Sequence, residues 1–491
     1  MRILVTGGSG VVGVSVVRQL VEGGHTVRLL SRHADEDVRQ FPAGVEARNG
    51  DVSDPGSITG SASGCDALLH VAGIVREIPP AVTFKKVNVD GTANMLAEAW
   101  ASGVKRFVYV SSLGADRGTS AYHQSKREAE ILVEAFAGNW TILRPGNVYG
   151  PGDEVLSRLL KMVRSLPAIP VIDDGEQPFQ PIWHEDLSRA IVTVVERNDL
   201  PAQTLELAGA ETTSMNDVID RLSVIVDRSP LKVPVPGFLA MLGVGAASKI
   251  GIQLPADENQ LTMLKEENLI IAENAMTSTL SIRLTPLDQG LKKLADQLPE
   301  QLPQDGFGPL QHKRFWADIE GSEVSAEEMI EHFRQSCADI MPIEFEAEPG
   351  TPKVLHRGVT LTAALPVRGH IQMRVIELEK RSITFATLEG HPLAGVVRFR
   401  CTPDEGSLCF EVDIQARAAD FFDWVAMRTV GAVAQNSNWV QVVRRMIKVS
   451  GGTAPDGVQH ESENVKGEEI ARVENSINDL LIDHKRAVYA S

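Results

Sequence analysis

Along the first 150 residues, short runs rich in Val, Ile and Leu alternate with longer segments whose apolar positions recur at helical spacing. Strands are predicted at Ile3–Thr6, Thr26–Ser31, Ala67–Val71, Phe107–Ser111 and Trp140–Leu143, with helices between them, including Val11–Glu22 and Asn88–Ala101. Strands that are apolar throughout, rather than alternating, belong to a sheet buried on both faces. Joined by crossover helices of one hand, they predict an α/β class with a doubly wound parallel (Rossmann) sheet.

Downstream the pattern changes. Residues 150–300 mix both periods, as a smaller substrate-covering part of the same domain would. Pro299, Pro303 and Gly306 predict a linker at 298–307. Beyond it, His356–Leu365, Gly369–Glu377, Ser382–Leu388, Val396–Cys401 and Leu408–Gln415 alternate in the manner of antiparallel strands. A helical stretch follows at Ala419–Val449, offering Phe421, Trp424, Val425, Trp439, Val442 and Val443 to a core. A sheet folded against one long helix predicts an α+β domain over 307–450. Residues 451–466, polar and glycine-rich, read as a mobile segment. Ile470, Val473, Ile477 and Leu481 then place a last helix at 468–488, docked on the body or on a second subunit.

Composition narrows the class without naming a chemistry. A chain of 491 residues divides into two or three domains. Its 43% apolar and 23% charged residues exclude a disordered chain. The net charge of −17 is spread over the whole length and offers no basic face to nucleic acid. Four cysteines without a CxxC pair indicate neither a metal site nor a disulfide framework, and Cys401 and Cys409 read as reduced thiols flanking a hairpin turn. The longest apolar run, Phe238 to Ala247, is half the length of a membrane span. The chain opens directly into a strand, so no signal peptide and a cytoplasmic location are expected.

Four features carry chemistry. Directly after the first strand comes Thr6-Gly7-Gly8-Ser9-Gly10-Val11-Val12-Gly13, opening a helix. Gly7 permits the tight turn, Gly10 lets backbone approach a pyrophosphate, and Gly13 allows helix to pack on strand, with Val11 and Val12 in the first helical turn offering N–H groups to the anion. The second strand ends in Ser31-Arg32, where a site selective for NAD carries an acid. The Arg32 guanidinium suits a 2′-phosphate, so NADP is favoured over NAD. Asn49-Gly50-Asp51-Val52 stands where a loop would meet the adenine. There Asp51 either accepts from the exocyclic amine, with Val52 on the ring, or caps the next helix. Last, the fifth strand ends in Ser111-Ser112, and Tyr122 and Lys126 follow four apart, on one face of a helix. An ammonium beside a phenol lowers its pKa and makes Tyr122 a general acid or base, while Ser112 holds the reacting oxygen. His123 and His184 read as polar neighbours of this site rather than metal ligands, and Pro236–Leu242 as a covering helix.

With these motifs, residues 1–300 resemble an extended or atypical short-chain dehydrogenase/reductase. Further likeness lies in Val71-Ala72-Gly73, Asn88–Thr92, Leu143–Gly150 and Ile182–Leu187. The resemblance implies that Ala72 and Pro145 line the nicotinamide riboside and that Asn88 sits beneath the active site. Val110–Asp116 and the short gap to Tyr122 look most like the branch related to the NADPH-binding accessory subunit of respiratory complex I. The second domain is similar to a family of uncharacterised domains with a START-like helix-grip shape, on Thr387–Pro392, Gly395, Phe399 and Phe410–Ala418. It departs from that family at Val396-Val397, where acidic residues are usual. That likeness implies an apolar ligand, or a homodimer or protein partner through the domain. The combined expectation is an NADP(H)-dependent oxidoreductase acting on the hydroxyl/carbonyl pair of a small, apolar substrate. The alternatives are a nucleotide-sugar epimerase or dehydratase with bound NAD, and a non-catalytic NADPH-binding sensor or assembly factor.

Overall fold

The computed structural model describes every residue except 238–261, 263–265, 267, 272, 346–347, 366–368, 405, 421–422, 425–431 and 490–491. It divides into two compact units. The first holds residues 1–159, 168–222 and 231–294; the second holds 295–491 together with 160–167 and 223–230.

In the first unit, strands β1 (Arg2–Thr6), β2 (Thr26–Ser31), β3 (Val45–Asn49), β4 (Ala67–His70), β5 (Arg106–Val110), β6 (Asn139–Pro145) and β7 (Gln203–Leu207) form one sheet in the order 3-2-1-4-5-6-7. All its pairings are parallel. Alternate side chains of the central strands serve two cores. Ile3, Val5, Leu29 and Val108 pack on helices α1 (Val11–Glu22) and α4 (His184–Glu196). Leu4, Leu30, Leu68 and Phe107 pack on α2 (Gly91–Ala101) and α3 (Ala121–Glu134). This is the doubly wound sheet expected. The edge strands β3 and β7 were outside the predicted set because their residues are half exposed and make no continuous apolar run. The helix expected from Asn88 begins instead with a π turn at Lys85–Asp90 and becomes α-helical only at Gly91. Such a turn re-aims its side chains, and it recurs near functional sites.

In the second unit, β8 (Phe307–Glu320), β9 (Glu344–Phe345), β10 (Thr360–Leu365), β11 (Gly369–Leu378), β12 (Ser382–Thr387), β13 (Leu393–Asp404), β14 (Ser407–Ala418) and β15 (Gln459–Asn464) form an antiparallel sheet ordered 9-10-11-12-13-14-8-15. Phe315, Phe385, Phe399, Phe410 and Val412 on its inner face pack on α5 (Ala326–Ile340) and α6 (Ala432–Ser450). Ile376, Ala386 and Val396 on the other face take Ile477 and Leu481 of α7 (Glu468–Tyr489). Trp439, Val442 and Val443 are buried in this core, whereas Phe421 and Val425, expected beside them, lie outside the described residues.

Two expectations change here. The 298–307 stretch is no free linker: the Gln301 N–H donates to the Thr387 carbonyl at 2.8 Å, the Glu389 N–H to the Pro299 carbonyl at 3.0 Å, and Glu300 pairs with Arg374 at 2.5 Å. The polar 451–466 stretch is no free segment either, because β15 pairs with β8 along Gln311–Trp316. Its six side chains are exposed, and its order comes from the backbone ladder, which composition does not report. Among the described residues, no helix is long and apolar enough to cross a membrane, and the run Phe238–Ala247 lies outside them.

Candidate active site

The glycine-rich turn joins β1 to α1. Gly7 has φ +70°, and a side chain there would strike the backbone of Ala72 at 2.6 Å; one at Gly13 would meet the Gly7 carbonyl oxygen at 2.0 Å. Loop, strand end and helix are therefore packed backbone to backbone. No side chain caps α1 at Gly10, which leaves the N–H groups of its first turn without a side-chain acceptor there. That cradle fits a dinucleotide pyrophosphate. The Ala72 N–H donates to Thr6 Oγ1 at 3.3 Å, which fixes the neighbouring β4 loop to the same turn.

Beside the end of β2 the structure adds a residue that periodicity did not single out, Asp37. Arg32 is exposed, and the Ser31 hydroxyl donates to the Asp37 carboxylate at 2.6 Å. An acid thus lies next to the strand end after all, brought back by one short helical turn. Asp51 accepts from the Ser53 N–H at 2.9 Å and the Ser53 hydroxyl at 2.6 Å, a local turn, while Asp54 caps the following helix through the Gly56 N–H. The capping role weighed for Asp51 therefore falls to Asp54. Val52 packs with the core under α2.

Ser112, Tyr122 and Lys126 are all buried at the carboxyl edge of the sheet. Ser120 caps α3 by accepting the His123 N–H, and so sets where the helix starts and where Tyr122 points. The Lys126 ammonium donates to the Val110 carbonyl at 3.0 Å and lies 5.0 Å from the centre of the Tyr109 ring. Burial pushes its pKa down to about 8. Burial also raises that of Tyr122, against the pull of a hydrogen bond from Ser112. Burial thus acts on Tyr122 in the direction opposite to the lowering expected from its lysine. Asn88 is buried and bridges Ile74 and Ser125, tying the β4 loop to α3. The Pro145 carbonyl accepts from the Leu113 N–H at 2.8 Å, holding the β6 end beside the serine.

His123 sits between Ser120 Oγ at 3.0 Å and Glu266 Oε2 at 2.5 Å. Glu266, from a segment 143 residues away, also takes the Ser120 N–H at 2.8 Å. His184 packs edge-on against Trp183, and burial lowers its pKa to about 4. Of Pro236–Leu242 only Pro236 and Gly237 are described.

Residues 3–208 match the model of the NAD dependent epimerase/dehydratase family. Relatives include the ceramide reductase of Caulobacter vibrioides, 29% identical over 48% of this chain and 75% of that protein. Another is the UDP-glucose 4-epimerase of Vibrio cholerae, 28% identical over 48% of this chain and 78% of that one. The 3 beta-hydroxysteroid dehydrogenase/Delta 5-->4-isomerase of Mycobacterium tuberculosis is 33% identical over 32% of this chain and half of its own. Among solved structures, the UDP-glucose 4-epimerase of Thermotoga maritima aligns with a TM-score of 0.48 and 20% identity, covering 60% of this chain and 98% of its own.

Proposed function

We propose that the first unit is an NADP(H)-dependent oxidoreductase that interconverts a hydroxyl and a carbonyl on an apolar small molecule. The observation that carries this reading is the burial of Ser112, Tyr122 and Lys126 together beside the uncapped glycine turn. Gly7, Gly10, Val11, Val12 and Gly13 would hold the pyrophosphate, Ala72 and Pro145 the nicotinamide riboside, Asp51 and Val52 the adenine side, and Arg32 a 2′-phosphate. The bound dinucleotide supplies or accepts the hydride. The protein handles the proton. Tyr122, kept protonated by burial, donates its phenolic hydrogen to the carbonyl oxygen as it gains charge, and Ser112 orients that oxygen. Lys126 steadies the resulting phenolate and holds a ribose hydroxyl.

The apolar substrate is supported by the names of two relatives, a ceramide reductase and a hydroxysteroid dehydrogenase. A nucleotide-sugar epimerase is the second reading. It is favoured by the Asp37 carboxylate beside β2, which suits NAD, and by an epimerase among the relatives. Steady NADPH oxidation with a panel of ketones, aldehydes and long-chain carbonyl compounds tests the first reading. Tightly held NAD with epimerisation of a nucleotide sugar, and no net turnover of cofactor, would replace it with the second.

A further inference from the structure

Glu130 lies one helical turn beyond Lys126 on α3 and has no exposed surface. A buried carboxylate needs partners for every lone pair. Here the Ser111 hydroxyl donates to it at 2.7 Å, and Arg144 clamps it with Nε at 2.8 Å and Nη2 at 2.7 Å. Arg127 adds a fourth donor at 3.0 Å. Arg144 then reaches on with Nη1 to Asp116 at 2.5 Å, in the loop between Ser112 and Tyr122. The partners are not scattered. Ser111 precedes Ser112, Arg144 precedes Pro145, and Lys126 shares the helix face. One carboxylate thus touches the chain neighbours of both Ser112 and Pro145.

The surroundings of Lys126 give Glu130 a second task. The ammonium faces His70 from β4, the Tyr109 ring and the Val110 carbonyl from β5, and Glu130 from its own helix, with Tyr122 one turn before it. Burial keeps His70 neutral and raises both tyrosines, and of these groups Glu130 is the one whose charge favours the ammonium. Its field opposes the desolvation of Lys126.

We propose that Glu130 is the positioning residue of this site, holding the Ser111-Ser112 strand end, the Arg144-Pro145 corner and the Lys126 ammonium in one buried electrostatic frame. The proposal rests on the oxidoreductase reading above, and deepens it by naming what keeps Lys126 charged. An aspartate there would keep the charge; an amide would keep the shape and lose it.

The test follows the Cε carbon resonance of Lys126 in the full chain labelled with ¹³C-lysine, assigned by its disappearance in Lys126→Arg. Without nucleotide, the wild-type resonance should titrate near pH 8. In Glu130→Gln the midpoint should fall by about one unit or more, and Glu130→Asp should restore it. Because Glu130→Gln leaves Arg144 with a lost partner, the double variant Glu130→Gln/Arg144→Gln is measured beside it, and the same fall is expected. A midpoint unchanged in whichever neutral variant folds overturns the proposal. So does the failure of both neutral variants to fold while Glu130→Asp folds, since Glu130 would then serve the fold alone. NADP⁺ that leaves the wild-type resonance unmoved counts against the oxidoreductase reading instead, because the Glu130 comparison is made without nucleotide.

Discussion

The hydroxyl of Ser31, at the end of β2, donates to the carboxylate of Asp37 at 2.6 Å. The site proposed for the adenosine ribose therefore carries two opposed charges, Arg32 attracting a 2′-phosphate and Asp37 repelling it. Arg32→Ala should cost NADPH binding ~1–3 kcal/mol, the range for a charge-assisted contact. Asp37→Asn should act in the other direction, tightening NADPH and leaving NADH almost unchanged. Dissociation constants of both nucleotides by fluorescence check this. Equal constants for wild type, with neither variant moving the ratio, would remove the preference for NADP.

The first unit was legible where its chemistry is local. The glycine turn, the strand-end serine and the Tyr122–Lys126 spacing each lie within a dozen residues, so periodicity and steric rules expose them. What escaped was built from distance. Glu266 reaches Ser120 and His123 across the chain, and Glu130 meets Arg144 from a neighbouring strand. In the second unit, α5 was missed although its signal is written in Ser325-Ala326-Glu327-Glu328: Ser325 and Glu328 form a reciprocal capping box at its start. Strand β8 was missed because it begins among Pro and Gly residues, even though Phe315, Ala317 and Ile319 alternate inward with Trp316 and Asp318 between them.

His70 is fully buried between Thr6 Oγ1 at 2.7 Å and Thr92 Oγ1 at 3.1 Å, and burial lowers its pKa to about 3. An unfolded chain returns it to the ordinary value near 6.5. The unfolded state then binds more protons between those limits, so the stability is whole above pH 6.5 and falls as the pH drops toward 3. At pH 5 the loss from this one group should be ~2 kcal/mol. Urea unfolding at pH 7 and pH 5 should show that loss in wild type and a loss smaller by about that amount in His70→Asn. An identical pH dependence would mean that His70 is not held neutral in the fold.

The second unit rests on ring packing across its inner face. Phe333 of α5, with no exposed surface, stacks on Phe399 of β13 at 4.4 Å between centroids. Phe333→Ala removes a large side chain from a site walled by sheet and helices, and should destabilise this unit by ~3–5 kcal/mol. Calorimetry, which resolves separate transitions, should show one transition moved. A variant that melts like wild type would mean that the α5–sheet packing contributes little.

Catalysis gives the most discriminating test. Tyr122 packs against the rings of Phe84 at 6.0 Å and His123 at 5.2 Å, and its hydroxyl is the group that meets Ser112. Tyr122→Phe keeps those ring contacts and removes only the proton donor. In a reductase, turnover should then fall by roughly 10²–10⁴-fold, the range for losing a positioned acid, while NADPH affinity stays within a few-fold. Lys126→Met should harm both, because the proposed mechanism assigns Lys126 to the ribose as well as to the phenol. A non-catalytic nucleotide sensor would behave otherwise, with Tyr122→Phe indistinguishable from wild type in cofactor-dependent melting and in every partner it binds. A substrate-free check is the pH-dependent absorbance of the Tyr122 phenolate, taken as a difference against Tyr122→Phe. In the free protein burial should keep the phenol protonated beyond the ordinary range, and bound NADP⁺, bringing positive charge to the site, should draw it downward. A phenol whose titration ignores the nucleotide would separate Tyr122 from the cofactor and end the proposed mechanism.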